Sequence, residues 1–182
     1  WQKPQRGTTP GQILADDFIA GAPPIIGVRW WGSYIDVSNQ LPDTKIDFQI
    51  AIHASNGNAA NHPFSLPTTV LAFYPAVHAF QTFVGRDKAF EAVYRYEALL
   101  PTPFTQIQGQ EYFISIEKLF DTFSPGRWGW HDACDHRFDY AAVTQSKFGP
   151  WTTYTVPQPD PNGLLHTDLA FELLVPEPGT AA

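Results

Sequence analysis

The chain has 182 residues, 43% apolar and 15% aromatic, with 18 acidic against 11 basic side chains and a net charge of −7. So many rings exclude a disordered chain, and the shortage of clustered Lys and Arg excludes a polyanion binder, so nucleic acid is not a predicted partner. No run of 18 apolar residues offers a helix that spans a membrane, and the single cysteine, Cys134, has no internal disulfide partner.

Met is absent, even at position 1, which reads as a trimmed or processed product, so the missing leader says nothing about export. Residues 1–11 form a polar, Pro-bearing arm. Seventeen Pro and thirteen Gly then interrupt the chain so often that long helices have little room. A weak strand is predicted over 14–19. A stronger one covers 25–35, with Ile26, Val28 and Trp30 on one face and Arg29, Trp31 and Ser33 on the other. Over 45–53 the period of two is clearest: Ile46, Phe48, Ile50 and Ile52 share a face opposite Lys45, Asp47, Gln49 and His53. Residues 68–73 are a weaker strand. Over 90–99, Phe90, Ala92, Tyr94, Tyr96 and Ala98 oppose Glu91, Arg95 and Glu97. Strands over 111–118 and 165–175 follow, the second burying Leu169, Phe171 and Leu173, with a weaker candidate at 138–143. A short helix fits 117–123 or 139–145, and 145–163 is a long, Pro-rich connection. These elements predict an all-β, antiparallel two-sheet sandwich, jelly-roll-like, over 12–175, because parallel units would need crossover helices that the spacing lacks. Residues 176–182 read as a linker or the remnant of a sorting signal.

The tail Val175-Pro176-Glu177-Pro178-Gly179-Thr180-Ala181-Ala182 resembles the start of a PEP-CTERM sorting signal, the carboxy-terminal tag of exported bacterial proteins. In that family an apolar transmembrane stretch and an Arg cluster follow; both are missing here. The body resembles secreted bacterial β-sandwich domains that precede this tag, through Ala15-Asp16-Asp17-Phe18, Gly27-Val28-Arg29-Trp30-Trp31-Gly32-Ser33-Tyr34, Tyr112-Phe113-Ile114-Ser115-Ile116, Trp128-Gly129-Trp130 and Asp168-Leu169-Ala170-Phe171-Glu172-Leu173. The resemblance implies a secreted or cell-surface bacterial protein that meets the membrane only through the missing signal. It implies no activity.

Three groups of residues carry candidate chemistry. Trp31, Tyr34, Trp128, Trp130 and Trp151 are candidate ligand-binding rings, since exposed aromatics on an acidic surface suit stacking on sugar rings. Trp30 and Trp31, being adjacent in a strand, must face opposite ways, whereas Trp128 and Trp130 share a face. Asp16 and Asp17 on the first strand, with Asp168 and Glu172 on the last, are candidate calcium ligands, a cation that takes six to eight oxygens. His131, Cys134 and His136, with Asp132 or Asp135 alongside, have the donor types of a transition-metal site, though not a familiar spacing. In each group the plainer alternative stays open: core tryptophans, solubilising carboxylates, and a polar loop around a buried thiol. His78 reads as a packed, hydrogen-bonded histidine and His53 as an exposed one. No nucleophile elbow or phosphate-binding Gly loop is present, so no catalytic residue is assigned. The predicted function is non-catalytic binding of extracellular polysaccharide. The alternatives are a structural subunit that binds other surface protein chains, and a glycan-active lyase or metal-dependent hydrolase.

Overall fold

A computed structural model describes residues 13–35, 46–57, 64–87, 90–119, 127–133, 140–145, 149–154 and 168–177. Eleven strands are present among these: β1 (Ile13–Ile19), β2 (Ile25–Ile35), β3 (Asp47–Ser55), β4 (Pro67–His78), β5 (Phe80–Arg86), β6 (Ala92–Phe104), β7 (Glu111–Lys118), β8 (Arg127–Trp130), β9 (Ala142–Thr144), β10 (Thr152–Thr153) and β11 (Phe171–Leu174). They form two antiparallel sheets, one ordered β10-β9-β1-β7-β3-β4 and the other β11-β2-β6-β5, with β8 also paired to β2. The chain is an all-β, two-sheet sandwich.

The period-two pattern works because apolar residues on alternate positions leave water together when one face of a strand is covered. In β3, Phe48, Ile50 and Ile52 are fully buried between the sheets. Their centre is aromatic. Phe48 reaches from the six-stranded sheet into a nest of rings from the other, with centroids 4.8 Å from Trp30, 5.0 Å from Tyr96 and 5.3 Å from Trp128. The contacts are edge-to-face or close to it, the arrangement ring quadrupoles prefer. Trp30 and Tyr96 stack on each other at 5.7 Å. The Lys118 ammonium lies 5.5 Å from the Phe48 centroid and donates to the Leu119 carbonyl, so this buried amine keeps polar contacts.

Several sequence expectations are corrected. The outer face of β3 is only partly solvated: Asp47 and Gln49 are half-exposed, but Ala51 and His53 are buried. A second apolar cluster, Ala15, Phe113 and Ala142 with Trp151 and Leu66 packed on it, lies on that side of the sheet. Of the two readings offered around 138–145, the strand is the one that overlaps the structure and the alternative helix at 139–145 is corrected: Ala142–Thr144 is strand β9, which pairs with β1 in register from Ile13↔Thr144 to Ala15↔Ala142. Strands β5 and β10 were not anticipated. Phe90, grouped with the buried face of its strand, lies before β6 and is exposed. His78 is hydrogen-bonded to Asp47 at 2.9 Å, but it is exposed rather than packed.

One close approach decides where β8 sits. Gly32 faces Trp130 across the β2–β8 pair, and a Cβ at Gly32 would fall 2.6 Å from the Trp128 indole. Only a residue without a side chain lets that ring lie flat against β2. Gly32→Ala should therefore lower stability by about 2 kcal/mol or more. Gly21→Ala, whose new methyl meets nothing nearer than 3.7 Å, should change it by less than about 0.5 kcal/mol. Urea unfolding of both variants measures the difference.

Candidate functional site

The outer face of the five-stranded sheet carries a cross-strand row that only the pairing register brings together. Glu172 of β11 lies opposite Arg29 of β2, and Arg29 lies opposite Glu97 of β6. The Arg29 guanidinium donates to both carboxylates, at 2.7 Å to Glu172 and 2.8 Å to Glu97. Both pairs are partly exposed, so their value is orientation more than stability. Hydrogen bonding to these two carboxylates holds the Arg29 pKa above its ordinary value. Beside this row, half-buried Trp31 lies opposite Arg95. The Arg95 Nε is buried and has no hydrogen-bond partner among the described residues. The result is a ring and a guanidinium side by side, with a second guanidinium fixed one row away.

Trp31 is held at a seam. Strands β8 and β11 lie end to end along the same edge of β2, so the Trp31 N–H donates to Ala170 while its carbonyl accepts from His131. The two short strands are joined by the Asp132↔Leu169 bridge and by Ala170 N–H to His131. Trp30 and Trp31 do face opposite ways, one into the core and one outward.

The other predicted rings are placed differently. Trp128 and Trp130 share a face, as the spacing requires, but that face is the interior, where both are buried. Trp130 Nε1 donates to the Ala170 carbonyl at 2.9 Å, which satisfies the one polar atom of a buried indole. Neither ring presents a surface to a ligand. Tyr34 is half-buried at the rim of the same core, 6.0 Å from Tyr94. Burial, with Tyr34 close by, pushes the Tyr96 hydroxyl well above the ordinary tyrosine range. Trp151 lies on the opposite side of the sandwich, its ring 5.3 Å from His53. His53 in turn shares a 2.9 Å hydrogen bond with Ser115.

The four candidate calcium ligands do not converge. Asp16 points between the sheets and accepts the Leu169 N–H on Oδ2 at 2.6 Å, while its Oδ1 has no partner among the described residues. Asp17 follows it in the strand and so faces the other way. Glu172 is taken up by Arg29 on the outer face of the second sheet. Asp168 is near enough to Asp16 to act on its charge, so burial first and Asp168 second raise the Asp16 pKa well above the carboxylate range. Of the transition-metal candidates, His131 is 1% exposed and shares a 2.6 Å hydrogen bond with Ser33. Cys134 and His136 lie outside the described residues. Among the described residues, no group of three or more His, Cys, Asp or Glu is arranged to hold a metal ion.

Arg29, Arg95 and Glu97 were visible in the sequence as the polar positions of two strands. Nothing in the sequence marked them as one constellation, because strand order and register decide which polar faces meet. With that geometry in place, comparison with known proteins adds one finding. The family model described as "Domain of unknown function (DUF7901)" matches residues 2–174, and the chain belongs to that family. No curated protein and no solved structure gives a significant match.

The buried ionisable groups make stability depend on pH with two opposite signs. Burial lowers both His53 and His131 to about 4, so they stay neutral in the fold while the unfolded chain gains protons below about 6.5. Their contribution is complete above pH 6.5 and declines as pH falls toward 4. Asp16 acts oppositely, because its raised pKa makes ionisation at neutral pH unfavourable in the fold. Asp16→Asn, which keeps an acceptor for the Leu169 N–H, should raise stability at pH 7 by about 1–3 kcal/mol. His53→Gln with His131→Gln should flatten the decline between pH 6.5 and 4. Urea midpoints across that pH range measure both effects.

Proposed function

We propose that this DUF7901 domain binds polysaccharide without catalysis, on the outer face of its five-stranded sheet. The single observation that supports this reading is the placement of Trp31: an outward indole opposite the half-buried Arg95, one row from an Arg29 held between two carboxylates. A sugar ring presents C–H edges that stack on an indole and hydroxyls that accept from guanidinium N–H groups. The site is on a sheet face, which suits an extended chain more than a small ligand enclosed in a cleft. With Arg29 neutralised by Glu97 and Glu172, and a net charge of −7 overall, the preference is for neutral or basic glycans over sulfated ones. Export to the cell surface is part of the same proposal and rests on the resemblance of the tail beginning Val175-Pro176-Glu177-Pro178 to a sorting signal.

Screening the chain against an array of bacterial and algal polysaccharides, in Ca²⁺ and in chelator, tests the proposal. A selective hit should weaken at least about tenfold in both Trp31→Ala and Arg95→Gln, since hydrogen bonds to a charged group contribute about 1.5–3 kcal/mol. Because Trp31 and Arg95 lie outside the aromatic core, the thermal midpoint should change little. Because the candidate calcium ligands are dispersed, the hit should persist in chelator. Silence across the array from folded protein, or a hit unchanged in Trp31→Ala, contradicts this site.

A further inference from the structure

Strand β5 is a terminal strand of its sheet, and its outer edge pairs with no described strand. It is also unusually apolar: Phe80 is 75% exposed, Phe83 56% and Val84 43%. Just beyond it Phe90 is 79% exposed. Edge strands are normally blunted by charge or kept short, because their free N–H and C=O groups template pairing with another chain. The opposite sides of both sheets follow that rule, with two residues in β10 and four in β11. By contrast β5 has seven residues and reaches its first charge only at Arg86.

Phe90 is held out deliberately. Its φ is +63°, a left-handed conformation that bulky side chains rarely adopt. The backbone around it is fixed by Phe90 N–H to the Asp87 carbonyl, Glu91 N–H to Asp87 Oδ1, and Arg86 Nη1 to the Phe90 carbonyl at 2.7 Å. Strained, fixed and exposed together describe a presented side chain.

Charge identifies the occupant. From Phe48 through Gly85 the sequence has no Asp, Glu, Lys or Arg, in a chain whose net charge is −7. Two copies of so acidic a molecule repel one another over most orientations. Bringing the β5 edges together sets two strands against each other in which Arg86 is the one charged residue, so the edge itself adds no carboxylate to the contact. The area also fits: a Phe side chain offers roughly 200 Å², so these partly exposed rings and Val84 expose on the order of 500 Å² per copy. Doubled, that reaches the roughly 1,000 Å² at which a specific interface begins. We propose that β5 is a self-association edge, on which two copies pair antiparallel about a two-fold axis and clasp Phe83 and Phe90 between them. The pairing step in β5 between Phe83 and Gly85 limits the straight ladder to the first four residues, so the dimer is weak.

Sedimentation equilibrium of the full chain, from about 1 µM to 1 mM and at about 50 and 500 mM NaCl, tests this. A monomer–dimer equilibrium with Kd on the order of 10–100 µM is expected, tighter at high salt because screening relieves repulsion between like-charged copies. Phe83→Ser and Phe90→Asn should each weaken it at least about tenfold. Asn tolerates the left-handed backbone, so the second variant removes the ring without disturbing the turn. Unchanged circular dichroism and thermal midpoint in both variants would show that the folded monomer is intact. A chain that stays monomeric to 1 mM at both salts overturns the proposal. So does a dimer unaffected by both substitutions, or one that loosens as salt rises.

Discussion

Phe48 crosses from one sheet into a nest of Trp30, Tyr96 and Trp128 on the other, and this interlock sets the spacing and alignment of the sandwich. Truncating a buried ring of this kind costs about 3–5 kcal/mol, a large share of the 5–15 kcal/mol that holds a domain folded. The rings come from β2, β3, β6 and β8, so one contact set ties together four strands drawn from both sheets. The most distant contributor, β8, is brought in by a small sequence feature, the missing side chain of Gly32 under the Trp128 indole.

That arrangement decides which rings remain for function. Because Trp30 must enter the nest, its neighbour Trp31 must leave it, and the pleat of β2 turns the second indole outward beside Arg95. Because Trp128 pairs beside β2 and fills the core, Trp130, two residues on, is drawn inward as well. The seam between β8 and β11 then fixes the Trp31 backbone from both sides. The same alternation divides the carboxylates: Asp16 is carried into the sandwich and Asp17 away from it, while Glu172 turns outward to meet Arg29. Core and candidate site are two faces of one strand pattern.

The fold class was legible because period-two apolar runs at 25–35, 45–53 and 111–118 admit a half-buried strand and little else. Strand β5 was not, since Phe80, Phe83 and Val84 lie on an edge where alternation no longer separates inside from outside. Phe90 escapes the pattern for the same reason, since it continues the apolar phase of β6 but lies just before that strand. Side-chain chemistry was legible and its assembly was not. The sequence identifies Trp as a stacking residue and Asp as a cation ligand, but register alone made Trp128 a core residue and kept Asp16 from Glu172. Burial of the outer face at His53 was hidden for a related reason, since a residue as remote as Trp151 lies against it.

The division of the tryptophans between core and surface is the claim on which both the fold and the proposed binding face depend. Fluorine NMR of the chain labelled with 5-fluorotryptophan, in the presence of a soluble paramagnetic agent, measures that division ring by ring, with each resonance assigned by substitution. The Trp31 resonance should broaden markedly while those of Trp30, Trp128 and Trp130 are shielded. A Trp128 or Trp130 resonance broadened as strongly as that of Trp31 would contradict that division, because those rings would then be outside the nest that holds the two sheets together.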